Sequence, residues 1–298
     1  MFRILLVALA ACAWGFEGHC QLKKFYTLKN DASYDTVDFS MKATSGTCFV
    51  KPSHHQDPLT IYGNPSLSDV NPTFKSSVRG ATNWVNLELE DYNKRGLSHA
   101  ITYNVFGSES SASEKDYWKV YLTDQKIYKL NLNYGVGDTY IDLSNLSVAH
   151  FKIESGSADV NINYSAGGMN RCQMDTFSVI VDLGTLVTQK MHLARANHVI
   201  AEVGFGTAVL DFGQGVSQKC TVNASIGAGT LKVIVPESEF PAIIRFKSSP
   251  LCKYSLEQGF EKIGDGIYAS KSYKPNAKNL MEFVIDVALG NITFEYVK

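Results

Sequence analysis

Glycines that follow runs of alternating apolar residues recur along the chain, and their spacing restricts the possible folds more than any other feature. Seven glycines fit this pattern: Gly46, Gly137, Gly156, Gly184, Gly206, Gly229 and Gly290. The residues five and three positions before each glycine are apolar or aromatic, and the residue between them is polar in all but one case. Alternation with a period of two indicates half-buried β-strands.

The glycines predict a sharp bend in each strand, because glycine adopts positive φ and allows another backbone to approach closely. A unit of about 22 residues cannot bury its own apolar face, but stacked units share one continuous core. We therefore predict an all-β, β-solenoid-like stack of short strands with glycine bends. A β-sandwich is the alternative, since regularly spaced short strands also suit that architecture.

The N-terminal segment predicts export. Arg3 precedes an apolar run through Phe16, which is typical of a secretory signal peptide, and we place its cleavage after Cys20. The run LAAC at 9–12 also matches a lipobox, in which Cys12 would carry a lipid anchor. No later segment has the 18 or more apolar residues of a transmembrane helix. We expect a periplasmic, outer-membrane-associated or extracellular protein.

The rest of the chain divides into an irregular part and a part with the regular glycine repeat. Residues 21–129 form an irregular N-terminal β region, in which the composition of 53–80 predicts a loop. Residues 130–298 form the stacked repeat, interrupted at 236–280 by an inserted hairpin or cap. Four cysteines remain after cleavage, either as buried thiols or with one disulfide, and their spacing does not choose a pairing. They are Cys48, Cys172, Cys220 and Cys252.

Equal offsets from successive glycines predict side chains that stack on the outer face. Five residues after the glycine, this gives a polar ladder of Asp142, Asn161, Gln189 and Asp211. Its oxygens are of the type that binds Ca²⁺, although a solvated polar face is the simpler interpretation. Three residues after the glycine, it gives an apolar strip of Phe49, Tyr140, Val187 and Val209. An exposed strip would mark a contact surface, but we expect segment 236–280 to cover it.

Four glycine-based motifs resemble those of the bacterial toast-rack proteins, envelope proteins related to LiaF-like and putative-adhesin groups. They are IDLSNL at 141–146, GSADVNI at 156–162, VGFG at 203–206 and IGAGTLKV at 226–233. The resemblance covers the chain from about Asp35 and is clearest from Leu130 to Val235. It implies a stack of β-layers that serves as an adhesin, scaffold or sensor module, usually without demonstrated catalysis. The absence of a transmembrane segment after the repeat argues against a sensor.

Composition and motifs narrow the function further. With 28 basic and 29 acidic side chains, the chain lacks the charge excess of nucleic-acid-binding proteins. No nucleophile elbow, dinucleotide fingerprint or zinc motif is present, and we predict no catalytic residues, cofactor or resident metal. We expect a non-catalytic scaffold or adhesin-like protein with protein or glycan partners, and self-association through open strand ends. A carbohydrate-binding or carbohydrate-active β-helix is the alternative.

Overall fold

Sixteen strands make up most of the part of the chain that the computed structural model describes, which comprises residues 23–63, 70–91, 117–236, 240–247 and 249–297. The predicted signal peptide and lipobox lie outside these ranges. The strands are β1 (Lys23–Leu28), β2 (Thr36–Pro52), β3 (Leu59–Gly63), β4 (Val70–Arg79), β5 (Thr82–Asp91), β6 (Tyr117–Leu122), β7 (Ile127–Asp142), β8 (Ser147–Asn163), β9 (Met174–Thr188), β10 (Ala196–Asp211), β11 (Cys220–Val235), β12 (Ala242–Phe246), β13 (Cys252–Leu256), β14 (Phe260–Gly264), β15 (Ile267–Ser270) and β16 (Met281–Tyr296). A short 3₁₀ helix spans Met191–Ala194.

Seven long strands form the centre of the molecule in the order β2-β7-β8-β9-β10-β11-β16. Every neighbouring pair in this series is parallel. Each strand is bent near its middle, so that its two halves contribute to two faces of the stack. The all-β, solenoid-like architecture predicted from the glycine spacing is therefore confirmed, although each layer is one long bent strand and not two short ones.

The bends are aligned from layer to layer by hydrogen-bonded register. Gly206 lies between Gly184 and Gly229, and Gly229 pairs in turn with Gly290. These four glycines have φ values between 137° and 147°. A Cβ atom built on Gly206 would lie 1.8 Å from the carbonyl oxygen of Gly184. Glycine is needed here because the next layer occupies the space that a side chain would fill.

One layer departs from the predicted register. In β8, Ala158 and not Gly156 pairs with the bend glycines Gly137 and Gly184. Gly156 lies two residues earlier, in a second column that also contains Gly135, Gly204 and Gly227. The predicted alignment of this layer is therefore wrong by two residues. The inward face is unaffected, because a shift of two residues keeps each side chain on the same side of a strand.

The inward side chains of all seven layers form one buried cluster. Leu132, Ile153, Val203 and Ile226 all belong to it, as the stacking prediction requires. Within this core, the rings of Phe151 and Phe177 on adjacent strands stack with their centroids 4.9 Å apart. Burial of these rows offsets the conformational entropy lost on ordering the layers.

A buried asparagine joins the connections between layers. The side-chain oxygen of Asn170 accepts a hydrogen bond from the Val148 amide, and its side-chain nitrogen donates to the carbonyls of Val148 and Ala194. Asn170 is almost fully buried, and its amide group bonds to two consecutive layers. It therefore links the loop before β9 to the start of β8 and to the 3₁₀ helix.

Shorter strands extend the stack at both ends. The first half of β2 pairs with β5, and its second half pairs with β6. Strand β4 then pairs with β5, and strand β3 pairs with β6. Residues 53–80 therefore contain strands β3 and β4 where the composition predicted a loop. At the other end, β12 and β13 pair with the two halves of β16.

The inserted segment adds strands to the end of the stack. Strands β12 to β15, which lie within 236–280, extend beyond β16, whereas the apolar strip begins six layers away on β2. The prediction that this segment covers the strip is wrong. Among the described ranges, no helix is long and apolar enough to cross a bilayer.

The four cysteines of the described chain are free thiols, and no disulfide joins them. Cys48 and Cys220 are buried, whereas Cys172 and Cys252 are partly exposed. Burial raises the pKa of both Cys48 and Cys220 to about 12. Of the two possibilities left open by the sequence, the structure shows the free thiols.

Candidate binding surfaces

Three of the four predicted ladder residues occupy equivalent positions in their layers. Asp142 pairs with Asn163, and Gln189 follows Thr188 and donates its backbone N–H to Ile162. Asp211 follows Leu210, which pairs with Thr188. The position given to Asn161 is occupied by Asn163, as the two-residue shift of β8 requires. The ladder therefore reads Asp142, Asn163, Gln189 and Asp211.

The two carboxylates of this ladder accept hydrogen bonds from neighbouring turns. Asp142 accepts hydrogen bonds from the backbone N–H and the hydroxyl group of both Ser144 and Ser165. Asp211 accepts from the backbone N–H groups of Gly213, at 2.8 Å, and Lys190, at 3.4 Å. These bonds hold the turns between layers, as Asx side chains do in loops. Nowhere in the described ranges do three His, Cys, Asp or Glu side chains cluster as metal ligands.

The environment of Asp142 favours its charged form. Desolvation by burial opposes ionisation, but the hydrogen bonds from Ser144 and Ser165 outweigh it and hold the pKa of Asp142 below the usual 3.8. Hydrogen bonds to a carboxylate stabilise its ionised state. Asp142 is therefore an ionised turn residue at neutral pH and is poorly suited to act as a general acid.

The predicted apolar strip is divided into two parts. Phe49 and Tyr140 are register partners on β2 and β7, and their rings stack with centroids 5.4 Å apart and planes 16° from parallel. Val187 and Val209 are partners on β9 and β10. Asn161 lies between the two parts, because it pairs with both Tyr140 and Val187. The predicted strip contained no residue of β8, and this layer interrupts it with a polar side chain in either alignment, Asp159 in the predicted one and Asn161 in the observed one.

Two lysines adjoin the aromatic part of the strip. The ammonium groups of Lys51 and Lys119 lie 5.4 and 5.8 Å from the centre of the Phe49 ring, and Lys119 lies 5.4 Å from the Tyr117 ring. Such distances are typical of cation–π contacts. We call Phe49, Lys51, Tyr117, Lys119 and Tyr140 the lysine–aromatic surface.

A second apolar feature lies along the bends. The residues immediately before four consecutive bend positions are Leu183, Phe205, Ala228 and Leu289, and they are partners in register. Leu183, Phe205 and Leu289 are 46%, 63% and 51% exposed. We call this row the bend ridge. Sequence analysis missed it, although an apolar residue directly before each of these glycines was visible in the sequence.

Acidic side chains flank the bend ridge on one side. Asp182 precedes Leu183, and Glu202 and Asp286 lie three residues before Phe205 and Leu289. All three carboxylates are exposed, and none of them forms an ion pair with another described residue. The ridge therefore combines protruding apolar side chains with local negative charge.

The middle of the chain matches a known protein family. Residues 78–184 match the family model described as the N-terminal domain of toast_rack, DUF2154. The resemblance to toast-rack proteins is confirmed for this part of the chain. The matched region begins in β4 and ends at Gly184, the bend glycine of β9. It therefore includes the glycine bends of β7 and β9 and the shifted layer β8 between them.

Two solved structures match the chain at low sequence identity. A putative cell adhesion protein from Clostridium sporogenes is 14% identical, with a TM-score of 0.44, and the match covers 93% of this chain and all of the other. A putative adhesin from Bacteroides fragilis is 13% identical, with a TM-score of 0.29, over 92% of this chain and 97% of the other. No curated protein matches the chain in sequence.

Proposed function

We propose that the protein is an exported, non-catalytic, adhesin-like component of the cell envelope, and that it contacts a partner protein through the bend ridge. The observation that carries this proposal is the row of exposed Leu183, Phe205 and Leu289 side chains, which lie in register on β9, β10 and β16 with the smaller Ala228 of β11 between the last two. Exposed apolar rows on a rigid framework are typical of contact surfaces. The predicted signal peptide and the toast-rack match support the envelope assignment.

The surroundings of the ridge define the kind of partner. Because Asp182, Glu202 and Asp286 flank the apolar side chains, a complementary surface has an apolar groove edged by lysine or arginine. Two copies of the ridge facing each other would bring like charges together, which disfavours a symmetric dimer through this surface. The hydrogen-bonded layers hold the ridge in place before binding, so little entropy is lost on contact.

The arrangement of the ladder carboxylates supports a non-catalytic role. Asp142 and Asp211 lie on β7 and β10, three strands apart, which corresponds to about 14 Å at the usual strand spacing. Glycosidase carboxylates are separated by roughly 5–10 Å. Both groups also accept hydrogen bonds from turns, which leaves them poorly placed to act as a catalytic pair.

Binding of the labelled, purified protein to cells of the organism that produces it tests the proposal. We expect saturable binding that is lost in the double variant Phe205→Asp, Leu289→Asp and lost after protease treatment of the cells. Ile263→Asp is the matched control, because Ile263 is 57% exposed but lies on β14, away from the ridge. Circular dichroism establishes that each variant is folded.

Two outcomes would overturn the proposal. Equal binding by the ridge variant and the control would show that the ridge makes no contact. If sedimentation shows that the wild type self-associates and the ridge variant is monomeric, the ridge is a contact between copies of this chain and not a site for a partner.

A further inference from the structure

The lysine–aromatic surface lies at the opposite end of the stack from most of the ridge. It is built on three adjacent strands, because Phe49 on β2 pairs with Lys119 on β6 and with Tyr140 on β7. Tyr62 and Tyr121 continue the aromatic surface on β3 and β6, with ring centroids 5.6 Å apart. Lys119 lies between the two ring pairs, because its register partners are Phe49 on one side and Tyr62 on the other. The rings and this lysine together form one outer patch.

The ring of Tyr140 is accessible at one edge of this patch. It stacks on Phe49 on one side, and its register neighbour on the other side is Asn161, which is smaller and carries an amide. Tyr140 is 42% exposed. An open aromatic ring beside an amide suits a sugar ring, whose C–H groups pack on aromatic carbon while its hydroxyls form hydrogen bonds.

The two lysines define the charge of the ligand. Within the described ranges, neither Lys51 nor Lys119 forms an ion pair with a carboxylate, and both ammonium groups lie against aromatic rings. They are therefore available to an incoming anion. The geometry points to an acidic oligosaccharide, a chain of sugars bearing carboxylate groups, as the ligand of the lysine–aromatic surface.

Nearby acidic groups favour this ligand over a polyphosphate such as single-stranded nucleic acid. Asp138 and Asp159 are register partners on β7 and β8, two residues before Tyr140 and Asn161. The phosphates of a nucleic-acid strand, one on each nucleotide, would be repelled by these two carboxylates. A sugar chain with fewer charges can place its own carboxylates beside the lysines alone. Nucleic acid is therefore an alternative that the test must distinguish.

Calorimetric titration of the purified chain with hyaluronan oligomers, which carry one carboxylate for every two sugars, tests this inference, with neutral dextran oligomers and oligo(dT) as comparison ligands. We expect binding to the acidic sugar only. Tyr140→Ala and the double variant Lys51→Met, Lys119→Met should each weaken it by about tenfold or more, through loss of the ring and of the charge contacts. Melting curves establish that the variants are folded.

Lys232→Met is the matched control. Lys232 occupies the same column as Phe49 and Tyr140 but lies on β11, where Glu295 neutralises it at 2.8 Å. Lys232→Met should bind the acidic sugar like the wild type, and so should the ridge variant Phe205→Asp. Failure of the bend-ridge proposal can therefore be distinguished from failure of the acidic-sugar proposal. Equal binding of dextran, equal binding of oligo(dT), or full binding by the double lysine variant would each overturn the inference.

Discussion

Replacement of Gly206 by alanine tests the basis of the stack directly. Gly206 has φ 144°, and an added Cβ would lie 1.8 Å from the Gly184 carbonyl oxygen and 2.9 Å from its carbonyl carbon. Both contacts are with backbone, which cannot rotate away as a side chain can. The neighbouring strands β9 and β11 hold β10 on both sides, so the layer cannot move without breaking ladder hydrogen bonds.

The expected cost follows from two separate effects. Holding alanine in this region of positive φ costs about 1–3 kcal/mol. Displacing a packed backbone by more than an ångström adds about 1–3 kcal/mol, as other overpacked sites do. We therefore expect Gly206→Ala to lower the free energy of unfolding by about 2–6 kcal/mol, a large part of the ~5–15 kcal/mol typical of folded domains.

Gly167→Ala separates the two effects. Gly167 also has positive φ, 67°, but no atom lies within 4 Å of an added Cβ. This variant should lose only about 1 kcal/mol. Urea denaturation followed by far-ultraviolet circular dichroism gives both values. If Gly206→Ala is no more destabilising than Gly167→Ala, close approach of the layers is not what requires glycine at the bend.

Three further predictions concern single side chains. Asp142→Asn should lower stability by about 1 kcal/mol or less, because the carboxylate is partly exposed to solvent. The pKa of Asp142 is lowered in the folded state, so this difference in stability should be present above pH 3.8 and vanish as the pH falls below the folded pKa. A difference in urea midpoint that stays constant with pH would contradict the lowered pKa of Asp142. At pH 8, Ellman's reagent should label two thiols of the native chain that begins at Gln21 quickly, whereas Cys48 and Cys220 should react only after unfolding. Four fast thiols in that chain would refute the burial of Cys48 and Cys220. Asn170→Ala should lower the free energy of unfolding by about 3 kcal/mol, because buried backbone groups lose their hydrogen-bond partners. The control Gln173→Ala, on the exposed surface, should lower it by under about 0.5 kcal/mol. Similar urea midpoints for the two variants would be inconsistent with the linking role of Asn170.

The register of β8 shows where prediction from the sequence reached its limit. Gly156 ends an alternating apolar run as the other glycines do, and a shift of two residues keeps every side chain on its predicted face. Only the hydrogen-bonded pairing of Ala158 with Gly137 and Gly184 distinguishes the two alignments. The core was therefore predicted correctly, whereas the neighbours of Asn161 on the surface were not.

The ends of the stack were also hidden from the sequence. Residues 53–80 are rich in turn formers, yet β3 and β4 form there because they pair with strands already fixed to β2. Strand β4 is paired on one side only among the described strands, and such an edge strand tolerates this composition, including Pro72, since its other side needs no ladder partner. Strand β3 lies between β1 and β6, which supply partners on both of its sides. The formation of β3 and β4 depends on the neighbouring strand more than on their own alternation.

By itself, the sequence determined the strand period, the bends and the inward rows, because alternation and the conformational freedom of glycine are properties of a short stretch of chain. Tertiary structure decided which layers are neighbours and therefore which side chains meet. The stacking of Phe49 on Tyr140 with two lysines beside it, and the row from Leu183 to Leu289, exist only through the register between distant strands. That register is set by hydrogen bonds and by contact of the bend glycines across layers, and no local pattern contains this information.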